Sequence, residues 1–588
     1  MQSSIEEKLS IARVADAHTR QSRWIVAPPE ELNSDSSGIS WTEICGTPCI
    51  ARLLYRKGFT CKDEVEAFLR PRLKSLSDPF LLPQMDAAVA RIFTAIDGVE
   101  RIVLFGDYDV DGVTSLAALS DMLRAFGAAP DLFLPLRMEE GYGLSHESVE
   151  RCMNSFHPQL LIAVDCGTSS ISEIEHLQRA GVDVIVLDHH EPKAALPKCS
   201  AIVNPKIDTN CRFRYLCSAG VVFKLCHALL KRRPVAGYDL KSVLDLVALA
   251  TVADIVPLEG ENRIFVQRGS DLLPRTARRG LRHLLRVAAV HPPIGPEDIG
   301  FRIGPRLNAA GRLSTAEKAL RLLLTNDESE ATTLAEFLDR QNRDRREVEK
   351  ETFVAAEDQI RNTHDPLRDA AIVVSARGWH QGVLGIVASR ISRKYHRPTI
   401  VIGFDEEGSG KGSARSIPGL HLVEALERCA AHLEKFGGHE MAAGLSIREE
   451  HLTTFAEAFR RTASELLAPE DLEPQLRLDH ELALSELNTE LLRWHEMLQP
   501  FGNANPQPVF LARDVTPAAP PRVIKEKHLI LYLRQRDVRR RAVYFDGATQ
   551  SLPAPPWDVA FRIQPDEYDG QRLLGIQIQA LRPATVIA

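Results

Sequence analysis

The sequence predicts an α/β protein: a doubly wound parallel-sheet domain, a long connecting helix, a smaller α/β domain and a C-terminal β-barrel. Three observations lead there. Short β-rich runs at residues 101–105 (RIVLF), 160–164 (LLIAV) and 182–187 (VDVIVL) each lead into an aspartate, the pattern of buried parallel strands. Residues 328–362 carry many charges without a glycine or proline, as a solvated helix between domains does. The last 110 or so residues break into short strand candidates separated by turns.

In chain order, residues 1–75 hold a polar leader, a Ser/Asn-rich patch near 33–37 and a short helical stretch at 65–70; they read as an adaptor packed on the main domain. Residues 76–325 form the doubly wound domain. Its three strands end at Asp107, Asp165 and Asp188, and ligands of open α/β sheets collect at such carboxyl ends. Residues 244–252 are apolar at helical spacing, which puts Asp254 at a helix end facing the same crevice. The connecting helix occupies 326–366. Strand-like runs at 370–375 and 399–402 open the smaller α/β domain, 367–467, and the segment from Pro469 to Pro474 marks a linker. In 468–588 the strand candidates are 523–524, 529–533, 542–545, 559–563 and 573–578, a spacing that suits an OB-like barrel. Between Pro521 and Phe545 there are eight Lys/Arg against two Asp/Glu, with Tyr532 and Tyr544 interleaved, which suits single-stranded nucleic acid.

The length of 588 residues allows three or four domains, and 79 acidic against 72 basic residues give a formal charge of −7. A basic coat for nucleic acid is excluded, so any polyanion site is a local patch. The ten cysteines are scattered without a CxxC, Cys45 and Cys49 being the nearest approach, and read as reduced thiols. The amino terminus lacks a basic n-region and an apolar h-region, and no apolar stretch reaches ~18 residues. A cytoplasmic protein is expected.

Four segments carry the chemistry: GDYDVDG (106–112), VDCG (164–167), DHH (188–190) and TVAD (251–254). Carboxylates with one or two imidazoles suit Mn²⁺ or Mg²⁺, whereas structural zinc recruits thiolates. A calcium loop is disfavoured, because its twelfth position, a bidentate Glu in that motif, is here Ala118, and a strand rather than a helix precedes the loop. Cys166 reads as a small buried residue. Two ions sharing a carboxylate would suit hydrolysis of a phosphate ester.

With GDYDVDGVTS, VDCGTSS, DHHEP, LVALATVADIVPL, RLNAAGRL, GWHQGVLGIVASR, KGSARSIPG and FGGHEMAAG in order between about 102 and 510, the chain resembles the DHH phosphoesterases, and most closely their single-strand-specific DNA exonucleases. The resemblance implies two divalent ions. Asp109 and Asp111 would each favour one ion, Asp165 would bridge both as a catalytic residue, His189 and Asp254 would complete the pair, and Asp107 would be a further ligand. In the related inorganic pyrophosphatases a histidine takes the place of Phe105, so one ion has a ligand fewer here. By analogy His190 contacts the scissile phosphate, a catalytic role; the alternative is that it orients His189.

The second α/β unit resembles the DHH-associated domain. Its Gly437, Gly438 and His439 would let backbone and imidazole approach a phosphate, and Ser413 with Arg415 would clamp it. Gln381 and Ala414 stand where proline and glycine are common in the family. The resemblance makes that phosphate a DNA 5′ end, giving 5′-to-3′ polarity and mononucleotide products. Arg302, Arg306 and Arg312 around Asn308, with Arg137 and Tyr142, are further DNA-binding candidates, while Arg340, Arg343, Arg345 and Arg346 read as partners for nearby acids. A monomer working with a DNA-unwinding helicase and a single-strand-binding protein is expected. The alternatives are a phosphodiesterase of short oligoribonucleotides or cyclic dinucleotides, and an inactive DNA-binding relative. Removing everything after about 468 is expected to weaken long-strand binding more than chemistry on short strands.

Overall fold

The computed structural model describes residues 22–28, 41–136, 140–141, 143–193, 195–313, 315–365, 368–568 and 571–584. The polar leader and the patch at 33–37 lie outside them, as do Arg137, Tyr142 and the side chain of Arg312. The chain folds into two compact units. One comprises Asp63–Asp344 with Met497–Gln507; the other comprises Met1–Lys62, Arg345–Glu496 and Pro508–Ala588.

The first unit is built on five parallel strands: β1 Ile102–Gly106, β2 Asp131–Phe133, β3 Leu160–Val164, β4 Asp183–Leu187 and β5 Ala201–Val203. Their order is β2-β1-β3-β4-β5. The winding reverses between β1 and β3, where connections leave in opposite directions and open a crevice beyond the strand ends. Every residue of β1 and β3 is buried, as it must be when helices cover both faces. One face packs α1 Met85–Asp97, α2 Val110–Ala125, α5 Ser218–Arg232 and α6 Leu244–Ala253; the other packs α3 His146–Phe156 and α4 Ile171–Arg179. Helix α6 is apolar nearly all round because it lies among α2, α5 and α7 Gly260–Leu272.

The second unit holds a five-stranded sheet of β6 Ile372–Arg377, β7 Thr399–Phe404, β8 Ser409–Arg415, β9 Lys435–Gly438 and β10 Ala442–Arg448 in the order β9-β10-β8-β7-β6. Only the β6–β7 pair is parallel. Its faces are covered by α10 Gln381–Tyr395, with the end of the 36-residue α9 Glu328–Thr363, and by α11 Leu452–Leu466. On α9, Arg343 pairs with Asp339 at 3.0 Å and Arg345 lies 3.8 Å from Glu349, so two of the four helix arginines meet acids as expected.

The barrel follows, with β11 His480–Glu481, β12 Phe510–Pro517, β13 Arg522–Ile524, β14 His528–Gln535, β15 Val538–Tyr544, β16 Trp557–Tyr568 and β17 Gln571–Pro583. They run β11-β12-β16-β17-β15-β14-β13, and an added β12–β14 pairing closes the sheet on itself. Strand β12 was not among the predicted strands. Its apolar run is only Phe510–Ala512, after which a register shift and a left-handed Asp514 interrupt the alternation. Tyr532 is exposed as expected, but Tyr544 is a core residue whose hydroxyl donates to Gln550 at 2.7 Å.

A short turn, Pro469–Leu472, occupies the expected linker, and the strand that follows it, Gln475–Leu478, pairs in parallel with Arg23–Val26. Of the first 75 residues, the described ones before Asp63 fold with the second unit and those from Asp63 with the first. Trp24 and Val26 bury against Leu476, Leu478 and Leu511, a contact no local pattern announces. The ten cysteines are all free thiols, and no helix among the described residues is long and apolar enough to cross a membrane.

One buried ion pair ties the first unit together. Lys224 of α5 donates to both Glu261 carboxylate oxygens, at 3.1 and 2.8 Å, and to the Ser77 carbonyl at 2.9 Å. Glu261 also accepts the Ser77 amide at 2.8 Å. Leaving one such charge alone in the interior costs about 3–5 kcal/mol. Lys224→Met is expected to lower the urea-unfolding free energy of the first unit by that order, and Lys224→Met with Glu261→Met to recover most of it; equal losses in both would show that the charges do not matter.

Candidate metal centre and phosphate-binding edge

The acidic residues converge at the β1/β3 reversal. After β1, Asp107 is buried, and Gly112 passes directly over its carbonyl oxygen, where any Cβ would collide. Asp109 caps α2: the Asp111 and Gly112 amides donate to its Oδ1 at 2.8 and 3.2 Å. Asp111, in the first turn of α2, accepts the amides of Ser218 and Ala219 at the start of α5, at 2.7 and 2.8 Å. The loop is held from outside by Asn308, whose Oδ1 accepts the Val110 amide at 3.1 Å.

Asp165 follows β3 in the left-handed region, φ 64°, and its Oδ1 accepts from Ser218 Oγ at 2.9 Å. Strain of this kind persists where surrounding structure enforces it. At the end of β4, Asp188 accepts the His189 and His190 amides at 2.7 and 3.1 Å, the His190 Nδ1 at 2.7 Å and the Thr168 amide at 3.0 Å. Asn204, at the end of β5, donates to the His190 carbonyl at 2.9 Å.

Three groups of ligand atoms result, each within 4.8 Å of one another: Asp107–Asp109–Asp165, Asp111–His189–Asp254 and Asp165–His189–His190. Asp165 belongs to two of them. His189 Nε2 lies 3.5 Å from Asp165 Oδ1 and from Asp254 Oδ2 and 3.8 Å from Asp111 Oδ2. Adjacent ligands of an octahedral ion at ~2.1 Å are ~3 Å apart, so this spacing fits a cation better than direct hydrogen bonds. Both ring nitrogens of His189 are buried without a hydrogen-bond partner among the described residues, as a vacant ligand would be. Hard oxygens with imidazole fit Mn²⁺ or Mg²⁺. Cys166 is buried and outside all three groups. Phe105 points into the apolar core, stacked on Phe133 at 4.9 Å, so it faces away from the acidic cluster.

The electrostatics follow from burial and crowding. Burial first, then neighbouring carboxylates, pushes Asp111 up to about 6 and Asp165 and Asp254 well above the usual range. Burial, helped by the charge on His190, depresses His189 to about 3, which keeps it a neutral ligand. His190 behaves oppositely: burial would lower it, but the hydrogen bond and charge of Asp188 raise it to about 9. Asp188, despite burial, is held well below the carboxylate range by His190. The crevice therefore holds a cluster of carboxylates beside one imidazolium. Asp188, Ser218, Asn204 and Asn308 were not singled out as site residues from sequence. Asp188 carried a signal, a third strand-end aspartate, whereas Ser218 and Asn204 carried none.

In the second unit, the register aligns Gly437, Gly444 and Ser413 in one row across β9, β10 and β8. Arg415 sits opposite Ala442, beside the turn that exposes His439, whose amide donates to the Ala442 carbonyl at 2.8 Å. Gly438 has φ 152°, and a Cβ there would strike the Ala442 carbonyl. Arg415 Nη1 donates to Ser413 Oγ at 3.0 Å and to the Ala414 carbonyl at 2.8 Å, with no acidic partner among the described residues. Burial lowers its pKa, so the charge is uncompensated and suited to an anion. Gly385 of α10 leaves the room: a Cβ would lie 2.7 Å from Arg415 Nη2 and 3.0 Å from Ser413 Oγ.

The other arginines are engaged within the first unit. Arg302 reaches Asp298 at 3.1 Å and the Ala288 carbonyl at 3.0 Å; Arg306 reaches Asp339 at 2.9 Å and the Arg302 carbonyl at 2.5 Å. Arg312 lies on α8 Gly304–Leu313. This helix crosses the acidic loop, where a Cβ on Gly311 would meet the Tyr108 carbonyl at 2.9 Å.

The raised carboxylate pKa values have a stability consequence with a definite sign. A carboxylate whose folded pKa exceeds its unfolded value of ~4 contributes stability below that value and loses it as pH rises through the folded pKa. Above pH 6 the metal-free crevice is thus destabilising. Asp165→Asn is expected to raise metal-free stability at pH 8 by about 1–2 kcal/mol and to abolish the rise that Mn²⁺ produces in the wild type. A Mn²⁺-induced shift in melting temperature that survives the substitution would exclude Asp165 from the metal site.

Residues 101–251 match the DHH family, N-terminal domain, residues 369–465 the DHHA1 domain and residues 478–580 the RecJ OB domain. The single-stranded-DNA-specific exonuclease RecJ of Escherichia coli is 34% identical over 564 residues, covering 91% of this chain and 96% of that protein. Its namesake from Bacillus subtilis is 37% identical over 498 residues, covering 84% of this chain; the alignment spans 62% of that longer protein. The crystal structure of Thermus thermophilus RecJ with Mn²⁺ superposes with a TM-score of 0.80 at 31% identity, covering 96% of this chain and 80% of that one, and its Mg²⁺ complex with 0.74 at 29%, covering 96% and 79%. Sequence, domain order and fold agree, and the chain belongs to the RecJ family of the DHH phosphoesterases.

Proposed function

We propose that this chain is a single-stranded-DNA-specific exonuclease that digests from the 5′ end, releases 5′-mononucleotides and serves DNA repair and recombination. The observation that carries the reading is the convergence of two carboxylate-rich groups, Asp107–Asp109–Asp165 and Asp111–His189–Asp254, linked by the group Asp165–His189–His190 with its cationic His190. Two divalent ions, Mn²⁺ or Mg²⁺, would be held by Asp107, Asp109, Asp111, Asp165, His189 and Asp254 and supply Lewis acidity toward a phosphodiester.

The chain's own residues do the rest. His190, clamped through Nδ1 by Asp188, carries a positive charge that would match the charge developing on a phosphate oxygen. Neutral His189 keeps a nitrogen lone pair available. Ser413, Arg415, Gly437, Gly438 and His439 form an anion-binding edge of the kind a terminal phosphate needs, and selection of a phosphorylated 5′ end follows from it. The barrel adds exposed Tyr532 and a basic β14–β15 hairpin for the downstream strand. Arg302 and Arg306 contribute to the DNA surface to the extent that they leave their acidic partners. The enzyme works in the cytoplasm as a monomer, on strands opened by a helicase and covered by single-strand-binding protein.

Digestion of 5′-labelled and 3′-labelled single strands and duplexes with Mn²⁺, Mg²⁺ or chelator tests the reading. Mononucleotides released first from the 5′ label of single strands are expected; rapid consumption of dinucleotides with long strands untouched would overturn it. His190→Ala is expected to lower kcat by roughly 10²–10³ with Mn²⁺ affinity retained. Arg415→Ala should raise KM for 5′-phosphorylated strands by roughly tenfold or more and erase their advantage over 5′-hydroxyl strands, since a charge-assisted pair is lost; an intact preference would remove Arg415 from end recognition.

A further inference from the structure

Among the candidate ligands Asp254 alone does not follow a strand of the sheet. It lies at the C-terminal end of α6, where helical hydrogen bonding stops and the last carbonyls need outside partners. The next residue, Ile255, is β-branched, 70% exposed and left-handed, with φ 59°. This conformation is strained for isoleucine, and its side chain gains no burial in return.

The turn is held by a segment from far along the chain. Asn503 Nδ2 donates to the Ile255 carbonyl at 2.7 Å across 248 positions, and the Leu258 amide donates to the Asn503 carbonyl at 2.9 Å. Gly502 lies so close to Leu258 that a Cβ would stand 2.7 Å from Cδ1. The segment is itself braced. Asn505 Nδ2 donates to the Leu498 and Pro500 carbonyls at 2.9 and 2.8 Å. The buried Arg263 of α7 donates to the carbonyls of Phe68, Leu498, Gln499 and Pro500 at 2.8–3.3 Å and stacks on the Phe68 ring at 3.6 Å.

We infer that Asn503 is a positioning residue for Asp254: by holding the Ile255 carbonyl it fixes the turn that presents the Asp254 carboxylate to Asp111 and His189. The inference rests on the reading of those residues as a metal centre. It also gives the C-terminal sequence a second task. The segment Met497–Gln507 follows α12 Thr489–Met497 and precedes β12, yet belongs to the first unit. Cutting the chain at 468 would remove Met497–Gln507 of the first unit along with the barrel.

Mn²⁺ titration of the full-length protein without DNA, by calorimetry and by the electron paramagnetic resonance of the free ion, tests this in the wild type, Asn503→Ala, Ile255→Gly and the double variant. Asn503 is exposed, and alanine keeps the backbone bond from the Leu258 amide to its carbonyl, so the variant is expected to fold. In Asn503→Ala one binding step is expected to weaken by about 10-fold and the other by less than about threefold, the effect typical of a group that orients a ligand. Glycine adopts the left-handed turn without help, so Ile255→Gly in the Asn503→Ala background should restore at least half of the lost affinity on a logarithmic scale. Exonuclease turnover of Asn503→Ala should be low at limiting Mn²⁺ and return toward wild type at saturating Mn²⁺. Unchanged affinities, or two steps weakened equally together with a lower metal-free melting temperature, would overturn the proposal. A wild type that binds no Mn²⁺ would instead remove the metal centre on which it depends.

Discussion

The mutual repulsion of buried carboxylates at the β1/β3 reversal is the constraint on which the rest of this structure depends. Asp107, Asp111 and Asp165 are almost fully buried, and Asp109 and Asp254 lie beside them. Such a cluster persists when each carboxylate is anchored and its charge is balanced by protonation or by a cation. The anchors are largely backbone amides: the first turn of α2 for Asp109, the first turn of α5 for Asp111 and the turn beyond β4 for Asp188. Helix amino termini thus stabilise negative charge in the interior while leaving lone pairs directed into the crevice.

The same geometry separates the two histidines. Adjacent in sequence and 4.5 Å apart between ring centroids, they are driven to opposite protonation states by different neighbours. His190 is bonded to Asp188 and charged; His189 has no such partner among the described residues and is neutral. One carboxylate, Asp188, thus sets a neutral imidazole beside a cationic one at the edge of the acidic cluster.

Much of this was legible in sequence. Residues 101–105, 160–164 and 182–187 became β1, β3 and β4 within a residue, because a strand buried on both faces must be continuously apolar. The charged stretch 328–362 became α9, since no residue in it breaks a helix. Strand β12 escaped because a register shift interrupts its alternation, and the strand at Gln475–Leu478 because its partner lies some 450 residues earlier. Tyr544 was misread as a surface ring because a seven-residue strand with three arginines shows its charged face more plainly than its buried one.

By itself, the sequence determined the strands, the acidic residues at their ends and the inventory of possible ligands, because each of these depends on local patterning and on side-chain chemistry. Only the tertiary structure decided which carboxylates share a cluster, which histidine carries the charge, and that Arg302 and Arg306 meet acids while Arg415 meets none among the described residues. It also joined Asn503 to the turn after Asp254. These are relations between groups far apart in the chain, set by burial and by distance in space, and neither quantity is written in the order of residues.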